Sequence, residues 1–151
     1  VEPKAIELVA LDEDQIGEVL RLQRNSFAAE PWTDGGLRAW ISSERTGAKR
    51  RFRVARADQT SVGYYAAACS AGIFVSDLAV DEPHRRRGVA TAMLEDIDQW
   101  ALGSGATTVG LLVRRQNVGA IALYQRRGFE TIREHTYPDG DPGLYMSRQI
   151  Q

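Results

Sequence analysis

A chain of 151 residues and 16.7 kDa is long enough for one domain, 1–151, with a continuous core. Its 43% hydrophobic and 26% charged residues suit a globular protein, and a formal charge of −1 excludes the basic excess of a general nucleic-acid binder. Cys69 is the only cysteine, which excludes an intramolecular disulfide and multi-cysteine zinc patterns, and no apolar run nears the roughly 20 residues that cross a bilayer. Val1-Glu2-Pro3-Lys4 lacks the apolar core of a signal peptide, so the cytoplasm is the expected location.

Ala5 to Leu11 reads as a first strand. Asp12 with Gln15 three residues on gives a capping-box start to a helix whose apolar stripe is Ile16, Val19, Leu20 and Phe27. Pro31-Trp32-Thr33 breaks that pattern, and Thr33 caps a second helix carrying Leu37, Trp40 and Ile41 on one face. From Arg51 the period changes to two, with Phe52 and Val54 on one side, and Asp58-Gln59-Thr60 reads as a hairpin turn into a strand over Val62 to Cys69. Ile73 to Val80 is a fourth strand. Gly88 then opens a helix with Val89, Met93, Ile97 and Trp100 along one side, closed by Gly103 and Gly105, and Val109 to Val113 follows as a strand. Strand, helix and strand make a β-α-β unit with a parallel pair, the place to look for a ligand. A last helix over Asn117 to Arg127 ends at Gly128, before strands at Phe129 to His135 and Leu144 to Ile150.

Two stretches carry the chemistry. In Asp81-Glu82-Pro83-His84-Arg85-Arg86-Arg87-Gly88-Val89-Ala90 a strand ends and a helix begins, and the free amides of a helix start form an anion site suited to a pyrophosphate. Arg85, Arg86 and Arg87 add positive charge, although an Arg-rich turn also describes a solvated surface. No Gly-Lys-Ser/Thr follows, and the three spaced glycines of a dinucleotide fingerprint are absent, so nucleoside triphosphates and NAD are disfavoured. In the second stretch, Asn117 to Phe129, Asn117 can cap the helix, and Tyr124 lies about two turns on, so that Asn117, Ala120 or Ile121, and Tyr124 share one face. A core tyrosine bonded to backbone would have the same spacing.

Arg85-Arg86-Arg87-Gly88-Val89-Ala90 resembles the Arg/Gln-x-x-Gly-x-Gly/Ala signature of the GNAT superfamily of N-acetyltransferases, and Ser76-Asp77-Leu78-Ala79-Val80-Asp81-Glu82-Pro83 is similar to that family's fourth strand. Asn117 to Phe129 resembles its Asn-x-x-Ala-x-x-Leu-Tyr-x-x-x-Gly-Phe motif. The resemblance implies an α+β fold, a mixed and mostly antiparallel sheet of about seven strands with about four helices, and acetyl-CoA as co-substrate. It implies that Leu78, Ala79 and Val80 meet the acetyl and pantetheine groups with backbone. The phosphates would fall to Arg85 through Thr91, with Val89 and Ala90 in the turn, while Asn117 and Ala120 are further cofactor-binding positions and Tyr124 lies near the sulfur. Tyr124 would protonate the departing thiolate, which suits a phenol neutral at physiological pH.

Phe27-Ala28-Ala29-Glu30-Pro31-Trp32-Thr33 looks like the Phe-x-x-Pro-Trp-Ser/Thr segment of RimI-type N-terminal acetyltransferases, and Tyr137-Pro138-Asp139-Gly140 with Leu144-Tyr145-Met146 is similar to their Tyr-Tyr-Pro hairpin. Two positions depart from that subfamily: Leu112 stands in Leu111-Leu112-Val113-Arg114 where a glutamate is the assigned base, and Phe74 stands where a glutamate is common. The base is then Asp77, Glu30 or a water chain, with Asp77 ranked first beside its reading as a solvated strand-end aspartate. The acceptor is a protein or peptide α-amine, or a small amine such as an antibiotic or polyamine. A non-catalytic acetyl-CoA sensor is the alternative of a different class. No metal, nucleic acid or membrane partner is expected, and the chain would act as monomer or homodimer. His84 reads as a surface residue, His135 as a strand residue and Cys69 as core packing, while Trp32, Trp40, Tyr64 and Tyr65 divide between core and an acceptor cleft. Lys49-Arg50-Arg51 reads as a solvated hairpin face.

Overall fold

The computed structural model describes residues 5–24 and 31–150. The elements are β1 Glu7–Ala10, α1 Ile16–Gln23, α2 Asp34–Arg45, β2 Arg50–Ala57, β3 Thr60–Cys69, β4 Ile73–Val80, α3 Val89–Ser104, β5 Thr108–Arg114, α4 Val118–Arg126, β6 Glu130–Thr136 and β7 Pro142–Gln149, with short 3-10 turns at Glu13–Gln15 and Glu82–His84. Among the described residues seven strands form one mixed sheet in the order β1-β2-β3-β4-β5-β7-β6, in which β4 and β5 pair parallel and the other neighbours antiparallel. The α+β architecture read from the sequence is the one observed.

Local chemistry explains most boundaries. The Asp12 amide donates to Oε1 of Gln15 at 3.0 Å, and Thr33 Oγ1 accepts from the Gly36 amide at 3.0 Å, so both expected caps form. Asp58 and Gln59 take φ of 52° and 65°, the left-handed pair that matches a two-residue hairpin to strand twist. Gly105, at φ 71°, stops α3 at Ser104, so Gly103 lies inside the helix rather than closing it. The first helix ends at Gln23, and Phe27 lies outside the described residues.

The sheet separates two apolar layers. On one face, α3 and α4 bury Val89, Met93, Ile97 and Tyr124 against Val75, Leu111, Val113 and Met146, with Trp100 only half-buried at the edge. On the other, α1 and α2 bury Val19, Leu22, Leu37 and Ile41 against Phe52, Val54, Tyr64 and Ala66. Cys69 is half-buried at the end of β3 rather than deep in the core. Arg50 lies 4.2 Å over Trp40 on one side of the sheet, and Arg51 lies 4.9 Å over Trp100 beside Asp96 on the other, so these two arginines form cation–π clasps while Lys49 is exposed as expected.

One irregularity positions the site. Parallel pairing of β4 with β5 covers only Ile73↔Val109, Phe74↔Gly110 and Val75↔Leu111, although both strands continue. At the same level the β3–β4 register jumps from Ala67↔Val75 to Ala66↔Asp77, leaving Ser76 as an extra residue in β4. A bulge of this kind bends its strand. Beyond it β4 and β5 part, and a cleft opens between them.

Candidate active site

The cleft is lined by Val75, Ser76, Asp77, Leu78, Leu111, Leu112, Val113, Arg114, Asn117, Tyr124 and Tyr137, and encloses about 420 Å³ including its open mouth. Three of the sequence candidates, Asp77, Leu78 and Tyr124, therefore meet in one place, with Asn117 beside them. Asn117 caps α4 by accepting from the Ala120 amide at 3.3 Å, and two turns later the buried Tyr124 faces the cleft.

Asp77 has a distinctive environment. Trp32 donates its indole N–H to Asp77 Oδ2 at 2.8 Å, and the Trp32 main chain is held on both sides by Gln23, whose Oε1 accepts at 2.6 Å and whose Nε2 donates at 2.8 Å. Desolvation pushes the Asp77 carboxyl up to about 6, against the opposing pull of hydrogen bonds from Trp32, Tyr64 and the Leu78 amide. The Leu78 amide, expected from the family resemblance to face an acetyl carbonyl, thus also supports Asp77. Tyr124 is raised well above an ordinary phenol, first by burial and then by the charges of Asp77 and Tyr137, so it stays protonated at neutral pH.

The loop from Arg85 to Thr91 forms the second part. Gly88 takes φ 82°, open space surrounds the position of a Cβ there, and Arg86 takes φ 64°. The first intrahelical bond of α3 runs from the Ala92 amide to Gly88 O at 3.0 Å, which leaves the amides of Val89, Ala90 and Thr91 in the open first turn. Arg86 and Arg87 are exposed, whereas Arg85 folds back, its Nε donating to Val80 O at 3.3 Å. Ala79 is buried in the α1–α2 layer, so only its main chain is available to a ligand. This unoccluded turn and its cations fit a polyphosphate, and the splay beside it fits a narrow arm reaching Tyr124. Val80, Ala90 and Ala120 are half-buried along that route, while His84 lies behind the loop in the 3-10 turn and does not line the cleft.

Sequence reasoning did not find the Arg114 clasp. Arg114 is 7% exposed, bonds Asp141 at 2.8 Å and Asp139 at 3.1 Å, and lies 4.1 Å over the ring of Tyr137, tying the β6–β7 hairpin to the cleft wall. The aromatic candidates divide as follows. Trp32 reaches Asp77 and Tyr64 supports it, Trp40 packs edge-on to Trp32 at 5.3 Å, and Tyr65 donates to Asp96 on α3, away from the cleft. Glu30 lies outside the described residues.

Residues 16–129 match the Acetyltransferase (GNAT) family. The chain belongs to that family. Among curated GNAT relatives it is 40% identical over 67 residues to the [Ribosomal protein bS18]-alanine N-acetyltransferase of Escherichia coli K12, covering 43% of this chain and 45% of that one. It is 34% identical over 79 residues to an N-alpha-acetyltransferase of Saccharolobus solfataricus, covering 50% and 47%. The chain thus spans less than half the length of these curated relatives. In fold it resembles the ribosomal-protein-S18-alanine N-acetyltransferase of Escherichia coli, with TM-score 0.78 at 20% identity over 97% of this chain and 95% of that one. It also resembles Ard1 from Thermoplasma volcanium, with TM-score 0.83 at 24% identity over 97% and 99%.

Proposed function

We propose that this GNAT protein transfers an acetyl group from acetyl-CoA to a primary amine, foremost the N-terminal α-amine of a protein or peptide. The observation that carries the reading is the placement of a carboxyl near pKa 6, Asp77, and a buried protonated phenol, Tyr124, on one cleft beside an open helix N-terminus. The relatives named as a ribosomal-protein-alanine N-acetyltransferase and an N-alpha-acetyltransferase support the acceptor class.

The co-substrate supplies a thioester carbonyl as electrophile. The turn of Gly88, Val89, Ala90 and Thr91 binds its phosphates, with Arg86 and Arg87 adding charge, and the β4 backbone about Leu78 to Val80 orients the arm. Asp77, ionised above about pH 6, removes the proton that an incoming ammonium must lose. The amine nitrogen then bonds to the acetyl carbon as the carbon–sulfur bond breaks, Tyr124 gives its proton to the departing sulfur, and the second proton shed by the nitrogen returns through water to the Tyr124 phenolate. Trp32 and Gln23 position Asp77 without touching substrate. This assignment gives the base role to a β4 side chain, in keeping with the apolar Leu112 on β5.

Tyr124→Phe tests the reading. Coenzyme A release with a peptide amine should fall by a factor of 10² or more, within the usual range for a lost general acid, while coenzyme A affinity stays within a few-fold. Unchanged turnover would remove Tyr124 from the reaction. Acetylation of a small amine is the second reading, favoured by Phe74 and Leu112 in place of carboxylates, and mass spectrometry of a mixed acceptor panel separates the two.

A further inference from the structure

The two faces of the sheet meet the cleft differently. Register pairs Phe74 with Gly110, Gly110 with Ser147, and Leu112 with Tyr145, so these side chains share one face, opposite Val75, Leu111 and Met146, which α3 and α4 cover. Among the described residues Phe74 is not part of the Phe52, Tyr64 and Ala66 layer that α1 and α2 bury, and it is 38% exposed. Tyr145 lies across Gly110, where a Cβ would come within 2.5 Å of its hydroxyl, and its ring stacks on Phe74 at 6.4 Å with an interplanar angle of 19°. Leu112, half-buried, continues this strip into the cleft wall beside Ser76.

Asp77 opens onto the same face, since its strand partner Ala66 and its donor Trp32 belong to the α1–α2 layer. Tyr124 and the α3 turn reach the cleft from the other face. A thioester held on the α3–α4 side therefore meets an amine arriving over the strip. We propose that the Phe74–Tyr145–Leu112 strip selects acceptors whose amine is carried beside a bulky uncharged group, aromatic or branched aliphatic, and disfavours polycations. This deepens the acetyl-transfer reading and rests on it.

Charge at the strip points the same way. Its cations are Arg133, 4.3 Å over Tyr145, and Arg114, whose charge Asp139 and Asp141 take up. Among the strip residues themselves there is no carboxylate to hold a second ammonium, and Asp77 is committed to the reacting one. A flat half-open aromatic surface beside the amine gains more from burying a ring or branched chain than from a methyl, because the gain scales with apolar area.

The test compares peptides identical except for an N-terminal Phe, Leu, Ala or Lys, together with phenethylamine and spermidine, by coenzyme A release. The Phe or Leu peptide should exceed the Ala peptide about tenfold in kcat/KM, the scale of a partly enclosed apolar contact, with spermidine lowest. Phe74→Ala should bring the Phe/Ala ratio close to one, and Leu112→Glu should raise spermidine relative to phenethylamine. Equal rates for Phe and Ala peptides, or spermidine as the best acceptor, would overturn the strip while leaving acetyl transfer intact. Should no amine release coenzyme A, acetyl transfer itself fails. Calorimetric binding of the same panel to the coenzyme A complex then still reads the strip, and equal affinities for phenethylamine and spermidine would reject it.

Discussion

The indole N–H of Trp32 reaches Oδ2 of Asp77 at 2.8 Å across 45 positions of sequence, and this one bond joins the segment before α2 to the bulged strand at the cleft. It holds the carboxylate in its ionised form against the desolvation that pushes it up to about 6. In Trp32→Phe the donor is lost and the desolvation stays, so the Asp77 carboxyl should titrate higher. The acidic limb of a kcat/KM profile against pH should shift upward by about one unit. An unmoved limb would show that Asp77 does not govern the protonation step.

Asp77 also links stability to pH, with a sign opposite to that of most carboxylates. Its folded pKa of about 6 exceeds its reference value of 3.8, so between those values the folded state binds more protons than the unfolded one. Its contribution to stability therefore falls as pH rises through that window, by about 3 kcal/mol at most. Comparison of Asp77→Asn with the parent by urea unfolding should show a stability difference that shifts in favour of the variant from pH 4 to pH 7. A flat difference would mean that the carboxyl titrates normally.

The Gly88 turn was legible because its signals are local. Gly88 at a strand–helix junction, Asn117 as a cap, and Tyr124 two turns later follow from spacing within one or two elements, and the structure places them as spaced. The insertion of β7 between β5 and β6 was not legible, since antiparallel neighbours at that separation leave no mark in either segment's periodicity. The bulge at Ser76 left a faint mark, two successive polar residues, Ser76 and Asp77, inside an otherwise apolar strand. The partners of Asp77 and Arg114 come from distant segments, and no pattern along the chain joins Trp32 to Asp77 or Arg114 to Asp139 and Asp141.

Gly88 tests the loop apart from the chemistry. At φ 82°, with open space around a Cβ, Gly88→Ala meets no clash but carries the left-handed backbone penalty of about 1 kcal/mol. The turn should relax and coenzyme A should bind several-fold more weakly, measured by calorimetry, with the acceptor KM little changed. Equal coenzyme A affinity would place the phosphates elsewhere.

Arg114 offers the complementary test on the acceptor side. Its guanidinium bonds Asp139 and Asp141 and covers the face of Tyr137, so it fixes the β6–β7 hairpin at the cleft mouth. Asp139 is held below its ordinary range, first by the Asp141 amide and then by Arg114. In Arg114→Ala the two aspartates repel across an open hairpin and Tyr137 loses its cover, which should cost about 2 kcal/mol of stability. Because the hairpin stands away from the Gly88 turn, the acceptor KM should rise about tenfold while coenzyme A affinity holds. Arg114→Lys keeps the charge but not the forked, planar contact, so it should recover stability more fully than acceptor binding. If alanine and lysine variants bind acceptor as the parent does, the hairpin takes no part in acceptor recognition.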